Sequence, residues 1–231
     1  MKRLFFAAAA ALGTALAGSA SAADLPRRPA VPAKAPAAYI APAYNWTGLY
    51  LGINGGGGWG TSRWTDNAGT TGDFDLSGGL VGGTVGYNWQ AAQAVFGIEG
   101  DLDWSNIDGT TSSGVCGGTN CKTENSWLGT ARGRLGYAGI DRVMPYVTGG
   151  LAFGDIKSTV PGFVGQTDTK TGWTAGGGVE FALPANWTAK GEYLYADLGD
   201  TSCAAANCGG TGSTKVEFKS HLLRGGLNYK F

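Results

Sequence analysis

Past residue 17 the chain has no uncharged apolar run approaching the roughly 18 residues that a helix needs to cross a bilayer, which excludes helical membrane spans. That absence does not argue for a soluble protein, because strands of a membrane barrel carry only a weak alternating signal. There is no basic excess either. Lys2 and Arg3 fall in an N-terminal leader, so of 17 cationic residues 15 remain against 17 anionic ones, a net charge of about −2. That balance excludes nucleic acid as a partner. Histidine is nearly absent. His221 stands alone, with Lys219 and Leu223 on its own face and Glu217 one step further, while Ser220 points the other way. No His–Ser–acid triad assembles along this strand, although a partner from a neighbouring strand stays open. The Gly-rich run from Gly78 to Gly86 imitates a phosphate-binding loop, but no helix follows it. No catalytic set, metal site or cofactor is read from these residues.

The first 22 residues read as a secretory leader. Lys2 and Arg3 precede an apolar run from Leu4 to Ala17, and Ala20-Ser21-Ala22 supplies the small-x-small cleavage pattern. Residues 23–44 are rich in Pro and Ala and carry Arg27, Arg28 and Lys34. This composition cannot form a core and predicts an extended periplasmic linker. Glycine is frequent (42 of 231 residues) but follows no period, and the aromatic content of 11% argues against disorder. The remaining residues, 45–231, suit one all-β domain.

Eight segments of that domain alternate with a period of two, which places successive side chains on opposite faces of a strand. They are Trp46–Gly60, Gly78–Trp89, Val95–Ser105, Glu124–Tyr137, Val143–Phe153, Thr171–Leu183, Trp187–Asp197 and Val216–Phe231. In the third, Phe96, Ile98, Leu102 and Trp104 face one way, and Glu99, Asp101 and Asp103 face the other. In the last, Leu223, Leu227, Tyr229 and Phe231 oppose Arg224, Asn228 and Lys230. Connections at 61–77, 106–123, 154–170 and 198–215 are long and polar, whereas those near 90–94, 138–142 and 184–186 are short. Long alternating with short is the plan of an up-and-down, eight-stranded antiparallel transmembrane β-barrel with extracellular loops and tight periplasmic turns. The tryptophans divide accordingly. Trp46, Trp89 and Trp187 fall at the short-turn ends, and Trp59, Trp64, Trp104, Trp127 and Trp173 at the long-loop ends, with none expected mid-strand. Two aromatic girdles fit a bilayer with two interfaces.

With the apolar face toward lipid, the charged face points inward. The lumen is then expected to hold Glu99, Asp101, Asp103, Glu180 and Glu192 with Arg132, Arg134, Lys190 and Arg224. Glu99 and Asp101 can meet Arg132 and Arg134 across neighbouring strands. Eight strands enclose only enough space for side chains, so paired ions filling the barrel compete with a narrow solute path as the reading of this face. All four cysteines lie in long loops. Cys116 with Cys121, and Cys203 with Cys208, form two C-x4-C pairs that read as local disulfides in an exported protein, ahead of a four-thiolate zinc site or cross-loop pairing.

NWTGLYLGINGGGGWG at the first strand, VGYNWQ at the second, FGIEGDLDW at the third, ARGRLGYA at the fourth and LRGGLNYKF at the end carry a resemblance over essentially the whole mature chain. It resembles the small outer-membrane β-barrel family of alphaproteobacteria, often labelled outer-membrane immunogenic or porin-family proteins. Phe231, with Tyr229 and Leu227 at alternate positions before it, looks like the C-terminal signal of such proteins for the barrel-assembly machinery. The resemblance implies integral outer-membrane location with both termini periplasmic, and contact with outer-membrane lipid and lipopolysaccharide. It also implies a role in envelope integrity and attachment of the mature N-terminus to peptidoglycan, with Ala23 as the attachment point. The expected function is a non-enzymatic structural barrel displaying loops for adhesion or recognition. A narrow porin-like channel is the alternative, and a lipid-modifying envelope enzyme a distant third.

Overall fold

The computed structural model describes residues 44–116, 118–208 and 212–231. The leader, Ala23 and the linker through residue 43 lie outside the described residues. Eight antiparallel strands follow in chain order around a closed barrel: β1 (Gly48–Asp66), β2 (Gly69–Ala91), β3 (Ala94–Ser112), β4 (Asn120–Tyr137), β5 (Val143–Thr159), β6 (Gln166–Ala182), β7 (Trp187–Cys203) and β8 (Thr214–Lys230). The last strand closes on the first from Tyr50 opposite Lys230 to Thr65 opposite Lys215. The Phe231 N–H then donates to the Leu49 carbonyl at 2.9 Å. Closure satisfies the backbone of every strand without leaving a free edge, the condition for a sheet to stand in lipid.

The strands are longer than their alternating segments suggest. They run from 17 to 23 residues, whereas roughly 9–11 suffice to cross a membrane. The stretches expected to be long loops are therefore mostly strand. Between β1 and β2 only Asn67 and Ala68 remain outside the ladder, where 61–77 reads as a loop. The reason is chemical. Nearer the short turns, apolar residues such as Leu51, Ile53, Val85 and Ile98 face outward and polar ones face inward. Further along the same strands the two faces exchange character. Outward positions become Arg63, Asp73 and Lys219, and inward ones become Trp64, Phe74, Leu76 and Phe218. Period two holds through this change on β1 and β2, while register shifts at Glu124–Leu128 in β4 and Asp197–Asp200 in β7 reverse the inward parity. A search for an apolar outward face loses the strands where they stop facing lipid.

Two tryptophan assignments change with this geometry. Trp59, Trp89, Trp104, Trp173 and Trp187 are all exposed on the outer surface. Trp64 is instead fully buried inside the barrel, and Trp46 is buried beneath it at the short-turn end, so neither belongs to a girdle. Even positions of β1 point inward, and Trp64 follows that parity beyond the lipid-facing zone. Trp59 and Trp104, expected at strand ends, lie well inside β1 and β3 because those strands continue past the girdle. The outward aromatic residues pack along each rim: Trp187 on Tyr229 and Tyr87 on Trp89 at the short-turn side, Trp173 on Tyr195 and Trp127 on Phe153 at the other.

Candidate functional site

The lumen is filled in three layers. At the short-turn mouth the chain entering β1 folds beneath the barrel. Trp46 packs with Val95, Met144 and Ala182, and Tyr44 lies against it with ring centroids 4.8 Å apart. The Trp46 N–H donates to Gln90 Oε1 at 2.8 Å, and the Gln90 N–H donates to Thr47 Oγ1 at 2.9 Å. The Lys230 ammonium donates to the Asn45 carbonyl and sits 4.5 Å from the Tyr44 ring centre.

The middle layer gathers all nine charged residues placed inward by the sequence pattern, each buried. Some pairs are dictated by register. Glu99 stands opposite Arg132 on β3 and β4, Glu180 opposite Lys190 on β6 and β7, and Glu192 opposite Arg224 on β7 and β8. Others cross the lumen. Arg132 Nη2 lies 2.5 Å from Glu99 and 2.7 Å from Asp101, and its Nη1 lies 2.8 Å from Glu192 on the far wall. Arg224 Nη1 contacts Asp101 at 2.8 Å and Asp103 at 2.6 Å, and Nη2 contacts Glu192 at 2.6 Å. Arg134 pairs with Glu180 and lies 3.8 Å from the Tyr146 ring centre, while Lys190 reaches Glu99 at 3.0 Å. Tyr50 donates to Glu99 at 2.7 Å and Tyr146 to Glu192 at 3.1 Å. The alternation of charges alone does not name these hydroxyls. The signal lay in the inward parity of Tyr50 and Tyr146, each opposite a glycine, Gly86 and Gly178. A Cβ on Gly86 would overlap the Tyr50 phenol.

The third layer is apolar and lies beyond the nine charges that the sequence pattern places inward. Trp64, Leu76, Ile107, Leu128, Ile156, Leu198, Phe218 and Leu222 form one buried cluster inside the long-hairpin half. Trp64 Nε1–H donates to Thr123 Oγ1 at 2.9 Å. Two short elements cover this core: a 3₁₀ turn (Gly114–Cys116) and the single helical turn α1 (Ala205–Cys208). Cys116 is bonded to Cys121 and Cys203 to Cys208, with Cα separations of 5.7 and 6.1 Å, and all four are buried in the cluster. Outside this half the charges meet solvent. Lys122 lies 2.7 Å from Glu124, and this hydrogen bond holds the Glu124 carboxyl below its ordinary range. Arg63 does the same for Asp73.

His221 lies on the outer wall. Its Nδ1 is 2.7 Å from the Tyr193 hydroxyl, and its ring lies 5.2 Å from Tyr195 and 6.0 Å from Trp59. Ser220 is buried on the inner face. The neighbouring strands thus surround the histidine with aromatic rings and, among the described residues, bring it no serine–carboxylate pair.

Known proteins match this chain over its length. A family model described as the outer membrane protein beta-barrel domain matches residues 7–231. The 31 kDa outer-membrane immunogenic protein of Brucella melitensis biotype 1 is 40% identical over 250 aligned positions that span 100% of both chains. The 25 kDa outer-membrane immunogenic protein of Brucella canis is 32% identical over 232 positions, covering 100% of this chain and 99% of that one. The 22 kDa outer membrane protein of Rhizobium leguminosarum bv. viciae is 38% identical over 160 positions, covering 68% and 67%. A closed eight-stranded barrel with an apolar outer belt, matched over almost its whole length, belongs to the outer-membrane protein β-barrel family, and its place is the outer membrane.

Proposed function

We propose that this protein is a sealed, non-enzymatic structural barrel of the outer membrane that supports the envelope and displays four rigid hairpins outside the cell. The observation that carries the reading is the triple closure of the lumen. Trp46 stops one mouth, the ion network fills the middle and the Trp64–Phe218 core fills the rest. Eight strands leave room for side chains and little else. The porin-like alternative needs a continuous polar path, and the apolar third layer interrupts one.

The same asymmetry supports an orientation. Both described chain ends meet at the short-turn rim, which is placed in the periplasm, where residues 23–43 would reach peptidoglycan through Ala23. The long hairpins then face outward. The β5–β6 tip presents Phe163 and Val164, the latter 92% exposed, as an apolar knob for adhesion or recognition. The immunogenic relatives in Brucella support surface display. An epitope tag inserted at Gly162 tests the orientation: antibody binding to intact cells is expected, and binding only after permeabilisation contradicts it. Deletion of the gene tests envelope support through detergent sensitivity and vesicle release. Both should rise, and wild-type values would count against the role.

A further inference from the structure

The β3–β4 ladder opens where the apolar belt ends. Along β3 the outward residues Ile98, Leu102 and Trp104 give way to Asn106 and Asp108, so Trp104 marks the belt's edge. At that height the register passes from Trp104 opposite Trp127 to Ile107 opposite Asn125, which leaves Ser105, Asn106 and Ser126 outside the ladder. The β4–β5 register shifts beside it, between Glu124 and Leu128. β4 is thus loosened on both sides at residues 125–127, and buried side chains hold it there. Asp155 accepts the Ser126 and Trp127 N–H groups at 2.7 and 3.1 Å. Asn125 Nδ2 donates to the Trp127 and Asp155 carbonyls at 2.9 and 2.7 Å. Bulges that re-aim side chains in this way gather next to functional sites.

The opening leaves a polar cleft of about 260 Å³ in the outer wall, bordered by Ser105, Asn106, Asn125 and Ser126. That is below the roughly 300–1,000 Å³ of a pocket for a drug-sized ligand, and suits a single ring. Asn125 is 2% exposed, and its Oδ1 has no partner among the described residues, an acceptor that a ligand hydroxyl would satisfy. The charges at the rim already cancel. Lys122 lies 3.3 Å from Asp108 and 2.7 Å from Glu124, and Lys157 lies 3.3 Å from Glu124. No surplus positive charge is left for a phosphate. Two apolar furrows adjoin the cleft, and both run along the Trp104 ring. One opens toward β2, past Val81 and Gly79, and shares Ser105 and Asn106 with the cleft. The other opens toward β4, between Leu102 and Trp127, and shares Ser126. Gly79 leaves the first furrow open, although a Cβ there would meet only Asn106 Oδ1 at 3.5 Å and the Gly56 carbonyl at 3.7 Å, both ordinary contacts. The packing of the barrel itself does not require that space to stay empty.

We infer that this cleft binds a membrane glycolipid, its uncharged sugar head among Asn106, Asn125 and Ser126 and its acyl chains in the furrows beside Trp104. The head must carry hydroxyls to meet the Asn125 acceptor, and it must lack charge because the rim has none to spare. It must also sit at the edge of the apolar belt, the height at which tryptophan rings meet the membrane interface. A ring that is 69% exposed then stands as a ridge between the chains. A free sugar would leave both furrows unused, and a phospholipid would bring a phosphate that nothing in the cleft counters. The leaflet that supplies the ligand follows from the orientation proposed above. Binding itself depends neither on that orientation nor on a closed lumen.

Purified barrel should be placed in phosphatidylcholine nanodiscs that hold a minor fraction of monoglucosyl diacylglycerol, and the lipids it retains on release counted by native mass spectrometry. The wild type is expected to retain the glucosyl lipid at roughly fivefold its share of the bilayer, about what one net hydrogen bond supplies. Phosphatidylglycerol at the same fraction should show no enrichment, and glucose in solution should not displace the glycolipid. Gly79→Leu fills a furrow and Ser126→Trp fills the cleft, and each should return retention to the bilayer ratio. Val147→Trp, at an exposed position nearer the short turns, should leave the enrichment unchanged. The heat-modifiable mobility shift reports that each variant has folded. Should S126W not fold, the lipid series and G79L decide the question alone. Retention by the wild type at the bilayer ratio would overturn the inference, as would enrichment that survives G79L and S126W. Equal enrichment of phosphatidylglycerol, or displacement by free glucose, would overturn it too, since the first marks general lipid contact and the second a site for soluble sugar.

Discussion

Arg132 on β4 spans the lumen to Glu192 on β7, 60 residues later, at 2.8 Å, while its other amino group holds Glu99 and Asp101 on β3. One guanidinium thus ties together three strands that are not all neighbours. Replacing Arg132 by Ala leaves three buried carboxylates short of a partner, which should cost about 3–5 kcal/mol. Equilibrium unfolding in urea from micelles checks this. A normal unfolding midpoint would mean that the network contributes little to holding the barrel together.

The two kinds of tryptophan should behave oppositely. Trp64→Ala opens a cavity in the third layer and is expected to cost about 3–5 kcal/mol. Trp104→Ala removes a ring that is 69% exposed on the outer wall, and its cost in the same assay should be clearly smaller. Acrylamide should quench a variant retaining only Trp104 far more than one retaining only Trp64. The reverse order would return Trp64 to the girdle.

Tyr50 and Gly86 are coupled by space. Gly86→Ala should destabilise by about 1–3 kcal/mol through overpacking against the phenol. Tyr50→Ala removes the obstruction, so the double variant should be more stable than the sum of the two single losses predicts. Strict additivity in the cycle would show that the tyrosine does not occupy the glycine's space.

Reduction of the disulfides should loosen the hairpin ends and leave the lipid-facing barrel intact. Each closes a loop with a sequence separation of 5, worth about 2 kcal/mol in loop entropy. Limited proteolysis after reduction is expected to cut near residues 114–120 and 204–213 while the heat-modifiable band persists. Loss of that band would make the disulfides essential to the whole barrel.

The barrel was legible in the sequence because period two and contrasting faces coincide where lipid bathes one side. Phe96 to Trp104 shows this most clearly, since aromatic and aliphatic residues alternate there with Glu99, Asp101 and Asp103. The charged inner face was legible for the same reason, down to the Glu99–Arg132 neighbours. What escaped was the upper half. There Phe74 and Leu76 alternate with Asp73 and Asp75 as regularly as any lower segment, but the apolar parity points inward. Without the height of the membrane, such a stretch reads as a polar loop. Contacts across the lumen, such as Arg132 with Glu192, depend on the curvature and stagger of the closed barrel, which no single strand encodes. Trp64 belongs to that inverted half, whereas Trp46 precedes β1 and takes its position from the chain folding under the barrel rather than from strand parity.

The central claim is that the lumen is closed. Reconstitution of the purified barrel into a planar bilayer, with single-channel recording in molar potassium chloride, tests it most directly. A silent membrane is expected for the wild type, and continued silence after the disulfides are reduced, because the ion network and Trp46 remain. Reproducible unitary steps from wild-type protein, abolished when Trp46 or the lumen charges are altered, would contradict the sealed barrel and establish a pore.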